Sequence, residues 1–185
     1  MLDQLSELVK QYGNEAVINN NNVPNEHNEG VMDEASSSIF SGLQQMVSEG
    51  GTAQLAELFN GNNAGSASNP VVQKLTEQLS GNLGQKFGLD STAATGVAAS
   101  IIPKVLGSLI GKAKNPNDSS FEISDIVNAI SGGQGNSGLM DAISKYGGQF
   151  GLDQNNDGKV DMGDAMAAVN KKGGIGGLLG KLFGK

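Results

Sequence analysis

The chain has 185 residues, a net charge of −7 and 37% hydrophobic residues, with six Phe, two Tyr and no Trp. No Cys occurs, which excludes disulfides, thiolate metal centres and cysteine nucleophiles. All twelve basic residues are Lys, and an acidic chain without the guanidinium fork that reads phosphates and base edges is a poor nucleic-acid binder.

Leu2, Leu5, Leu8 and Val9 share one face of a predicted amphipathic helix over 2–12 that ends at Gly13. The start, "MLDQLSELVKQYG", lacks the basic beginning and apolar run of a signal peptide, and no stretch approaches the roughly 20 apolar residues of a membrane span. The expectation is a soluble, cytoplasmic protein. "NNNNVPNEHNEG" reads as a loop with helix onset near Pro24. From Val31 to Val47, apolar residues at spacings of three and four predict a helix through Ile39, Phe40, Leu43 and Met46, stopped by "EGG".

"TAQLAELF" at 52–59 predicts a short helix, and "NGNNAGSASNP" at 60–70 a loop that divides the chain. A helix with Leu75, Leu79, Leu83 and Phe87 follows, with an interruption expected at Gly81. Asp90 or Ser91 can cap the next helix, in which Pro103 must force a kink or a restart. Short helices at 122–131 and 139–147 lead to an acidic loop, and "DAMAAVNKK" leaves it. No strand alternation is visible, so the predicted class is all-α, a bundle of short helices. The expected divisions are an N-terminal helical hairpin over 1–60, a helical domain over 70–170 and a Gly/Lys-rich tail over 171–185. "GQKFGLD" at 84–90 and "GQFGLD" at 148–153 echo one another, as a repeated Gly-break device or as a structural repeat.

"DQNNDGKVDMGD" at 153–164 carries the sharpest chemical signal. Calcium takes six to eight oxygen ligands, and a twelve-residue loop supplies them from positions 1, 3, 5, 7, 9 and 12 around a Gly at 6. Asp153, Asn155, Asp157, Lys159 through its carbonyl, Asp161 and Asp164 occupy those positions, with Gly158 at the turn and Val160 at the apolar position 8. Only the last departs from the usual Glu; Asp is one methylene shorter and reaches a bidentate geometry only with a backbone shift. Four carboxylates against one Lys repel each other until a cation enters. Calcium is the expected ion, with magnesium as the alternative among hard, oxygen-seeking cations, and a structural clamp is favoured over a switch because no second loop is present. The bland alternative is an Asn/Asp/Gly-rich surface turn.

In the tail, Ile175, Leu178, Leu179, Leu182 and Phe183 fall at i, i+3, i+4, i+7 and i+8, one helical face among Gly and Lys. Packing on the chain itself or on a second subunit is the first expectation, and a membrane surface the second. His27, the only His, lies in the Asn-rich segment and reads as a solvated loop residue. No nucleophile has a partner His and no phosphate loop is present, so no catalytic residue is assigned and an enzyme is not expected.

"LGQKFGLD", the small-residue helix after it and "IIPKVLGSL", within residues 71–112, resemble the YidB-like family of bacterial domains of unknown function. The likeness covers about a quarter of the chain and rests on packing motifs. It implies an all-α, homeodomain-like arrangement of short helices and no particular chemistry. The loop of 153–164 resembles the calcium loops of EF-hand and dockerin type, the latter also favouring Asp at position 12. A homeodomain-like arrangement raises weak nucleic-acid binding as a rival, but the region offers Lys74, Lys86, Lys104 and Lys112 and no Arg. The leading expectation is a non-enzymatic, calcium-holding protein that acts through a protein partner or self-assembly.

Overall fold

The structure is a computed structural model and describes residues 1–115, 122–132, 138–139 and 141–143. The protein is all-α, and no strand occurs among the described residues. The helices are α1 (Leu2–Gly13), α2 (Asn28–Ser48), α3 (Thr52–Asn60), α4 (Pro70–Phe87), α5 (Ser91–Ala113) and α6 (Ile123–Ile130). A π-helical turn, Asn14–Ile18, extends α1, and a 3-10 turn, Asn25–His27, leads into α2.

Each boundary has a local cause. Pro24 is extended and starts the 3-10 turn. α2 ends where Gly50, at φ +80, donates to the Val47 carbonyl and Gly51 donates to that of Met46, the paired closure of a Schellman motif. Asn69 caps α4 by accepting from the Val71 amide at 2.9 Å, with Pro70 at the first helical position. Of the two candidate caps of α5, Asp90 is the one used: its Oδ1 accepts from the amides of Thr92 and Ala93, both at 2.9 Å.

α4 lies along α5, α2 along α4, and α1 is held between α2 and α5. One core results, from Leu5 in α1 through Ile39, Leu43, Leu55, Phe59, Leu79, Ile101 and Leu106 to Ile143, and it spans both sides of the 60–70 segment. Gly65 of that segment rests on α5 at Gly107; a Cβ on Gly107 would stand 3.1 Å from the Gly65 Cα.

Three punctuation residues sit in these helices, and the interruption expected at Gly81 is corrected. As expected, α1 ends at Gly13; the residue keeps right-handed helical geometry and is buried, and a Cβ there would stand 2.9 Å from the Met32 sulfur. It is small because α1 and α2 approach closely, and the helical path runs on to bury Ala16 and Val17. Gly81 does not interrupt α4, because it sits on the exposed side with nothing near it. Of the two outcomes expected at Pro103, a kink or a restart, the restart does not occur: α5 is one element of 23 residues. The carbonyl deprived of its donor belongs to Ala99, which is exposed, so water can satisfy it.

α5 is also long and apolar enough to cross a membrane, with a mean hydropathy of 1.6 over its best window. This corrects the expectation that no stretch approaches a membrane span in length and apolarity. Its apolar side is spent on the bundle: Ala93, Ala94, Val97, Ala98, Ile101, Ile102, Val105, Leu106, Leu109 and Ile110 are all buried. Leu79 is fully buried where α4 meets that side. Leu79→Ala will lower the free energy of unfolding by about 3 kcal/mol in a urea titration, through lost transfer energy plus a cavity.

Candidate functional site

The assigned metal ligands Asp153, Asn155, Asp157, Lys159, Asp161 and Asp164 lie outside the described residues, as do Ile175, Leu178, Leu179, Leu182 and Phe183 of the tail. What the structure describes is how the chain approaches the acidic loop. α6 buries Ile126, Val127 and Ile130, and Gln44 of α2 donates to the Ala129 carbonyl at 3.3 Å. Past α6, Leu139 and Ile143 are buried in the bundle core.

The anchor of this last segment is Asn60. It ends α3 at 3% exposure, because the helix delivers it inward beside Leu58 and Phe59. Its Nδ2 donates to the Ile143 carbonyl at 3.2 Å, across 83 residues of sequence. Its Oδ1 is buried with no hydrogen-bond partner among the described residues. Lys114, just past α5, donates from Nζ to the Asn60 carbonyl at 3.1 Å and the Gly61 carbonyl at 2.7 Å. A cation there complements the negative end of the α3 dipole. Burial holds the Lys114 ammonium below its ordinary pKa, since the charged form loses hydration.

A second cluster joins α2 to α4. The Glu34 side chain is 10% exposed, and its Oε1 accepts from Ser38 Oγ at 3.0 Å and Asn82 Nδ2 at 2.9 Å. Its Oε2 accepts from Lys86 Nζ, and Asn82 donates also to Ser38 Oγ at 3.0 Å. The carboxylate is thus held by three donors, which suits a fixed brace between helices better than a proton-transfer group.

Near the α2–α3 corner, Lys74 and Glu49 pair at 2.7 Å, both about half exposed, beside an open cleft of about 320 Å³ lined also by Met46, Gly51 and Gln54. Hydrogen bonds from Lys74 and then Gln45 hold the Glu49 carboxyl below the usual carboxylate range. His27 is not a solvated loop residue. It ends the 3-10 turn, is half-buried, and its ring lies 5.6 Å from that of Phe87. Among the described residues no three His, Asp or Glu side chains gather in a way that could hold a metal ion.

Of the residues that do the polar work inside the bundle, sequence reasoning picked out neither Asn60, Glu34 nor Asn82. The one signal for Asn60 was its place directly after the inward-facing pair Leu58–Phe59. Glu34 sits one residue before the apolar Ala35, on the border of the buried face, where a polar group needs a partner from the neighbouring helix.

No family model, no curated protein and no solved structure matches the chain.

Glu34→Ala leaves the Asn82 and Lys86 donors without their charged acceptor. It will cost about 2 kcal/mol in urea unfolding, whereas substituting the exposed Glu29 will change little.

Proposed function

We propose that the protein is a non-enzymatic helical scaffold of YidB-like, homeodomain-like type. It holds one calcium ion structurally in the loop of 153–164 and acts through a protein partner or self-assembly. The observation that carries this reading is the register of Asp153, Asn155, Asp157, Gly158, Lys159, Asp161 and Asp164, oxygen donors at every required position with glycine at the turn. The buried polar clusters of the described bundle support the scaffold part, since Glu34 and the Asn60 Nδ2 are engaged in bracing one element against another. An ion in the loop would neutralise four carboxylates set within twelve residues and order the chain between its flanking segments.

Calorimetric titration of chelator-treated protein with calcium tests the reading. Saturable binding of one ion, with a rise in melting temperature by mass action and loss of both in Asp153→Ala, is the expected result. No heat and no thermal shift would reduce the loop to a polar turn. Running magnesium in parallel identifies the ion.

The spacing of Ile175, Leu178, Leu179, Leu182 and Phe183 favours a second reading, in which the Lys-bearing tail docks on a surface outside the bundle. Binding to anionic liposomes that disappears when residues 173–185 are deleted is the outcome this reading requires. A deletion that instead lowers the mass in solution assigns the tail to self-assembly. Neither change would end this second reading.

A further inference from the structure

Asn60 and Gly61 form the one Asn–Gly pair in the chain, and it lies at the anchor that holds Ile143. We propose that this pair is a conformation-gated deamidation site, closed while Leu139 and Ile143 are docked and opened when they leave the core. The step needs no co-reactant but water. The Gly61 amide nitrogen loses its proton and attacks Asn60 Cγ. The new C–N bond closes a succinimide, and Nδ2 departs as ammonia. Water then adds to either ring carbonyl, giving aspartate or isoaspartate at position 60. Gly61 brings no side chain to hinder the attack.

The fold holds both reacting groups apart. The Gly61 N–H is engaged with the Glu57 carbonyl at 2.7 Å, and Asn60 Nδ2 with the Ile143 carbonyl at 3.2 Å. The second of these restraints, and the burial around it, depend on Leu139 and Ile143 staying in the core. Lys114 acts in the opposite sense. Its ammonium bonds the Asn60 carbonyl, which belongs to the same peptide group as the Gly61 nitrogen. Drawing electron density from that oxygen favours loss of the amide proton, so the site carries its own electrostatic activator.

The product does not restore the anchor. A carboxylate oxygen takes the place of the donor facing the Ile143 carbonyl, in a position 3% exposed. Acceptor then faces acceptor away from water, and the segment is held less well. One undocking event, if it lasts, is thereby made permanent.

Peptide mass spectrometry with separation of isomers tests this on the full chain aged at neutral pH. Leu139→Ala/Ile143→Ala will accumulate aspartate and isoaspartate at position 60 at least about tenfold faster than the parent chain, because the rate follows the open population. Adding Lys114→Met to that variant will slow it again. Asn60→Asp, which mimics the product, will lose amide-exchange protection over 123–130 and at Leu139 and Ile143 while α1 to α5 keep theirs. Equal rates in the parent and double variants overturn the gate, as does native protection in Asn60→Asp. Should the double variant unfold entirely by circular dichroism, the Asn60→Asp result alone decides.

Discussion

Burial of one side of α5 is the constraint on which the rest of the bundle depends. Ten of its side chains are removed from water, and they meet α4 along one flank and α1 along the other. At roughly 1.5–3 kcal/mol for each large aliphatic side chain fully buried, no other helix among the described residues buries as many apolar side chains. The same composition that lets this helix pass for a membrane span makes it the centre of a globule. Exposed Thr95, Gly96, Ala99 and Lys104 on its other side keep that globule compatible with water. α1, α2 and α4 can then be amphipathic in the ordinary way, each needing one apolar stripe because α5 supplies the opposing surface.

The polar interior follows from the absence of Arg. Lys is a compact charge on a flexible stem, without the planar fork that pairs with a carboxylate through two bonds. The bundle therefore braces its helices with mixed groups. Glu34 gathers a hydroxyl, an amide and an ammonium, and Lys114 spreads its bonds over two carbonyls at the end of α3. Both arrangements join elements far apart in sequence, 48 residues in one case and 54 in the other. Each fixes a helix-to-helix relation that apolar packing alone would leave freer to slide.

Much of the helical content was legible because it is written in local periodicity. Leu75, Leu79 and Leu83 announce α4, "EGG" ends α2, and Asp90 begins α5 by a side chain three residues from the amide it satisfies. Punctuation residues carry the ambiguous signals: Gly13 ends α1 as expected, Gly81 does not interrupt α4, and Pro103 leaves α5 one element. A glycine states that a side chain is missing, and does not state whether backbone freedom or a close neighbour is the reason. At Gly13 the reason is Met32 on another helix. A proline removes one donor, and the cost depends on whether the orphaned carbonyl can reach water, as that of exposed Ala99 can. These outcomes are decided by tertiary surroundings, which periodicity does not encode.

The same distinction separates the two proposed sites. A calcium loop of the 153–164 kind is specified within twelve consecutive residues, so ligand spacing is enough to suggest it before any fold is known. The Asn60 anchor is assembled from the end of α3, the residue after α5 and the carbonyl of Ile143. None of these is distinctive alone: an asparagine before a glycine reads as a turn, and a lysine after a helix reads as solvated. Only the fold puts an amide, the carbonyl it needs and a cation around one peptide group. Chemistry that depends on such convergence is invisible to spacing rules, and here it lies where the chain makes its last described attachment before the acidic segment.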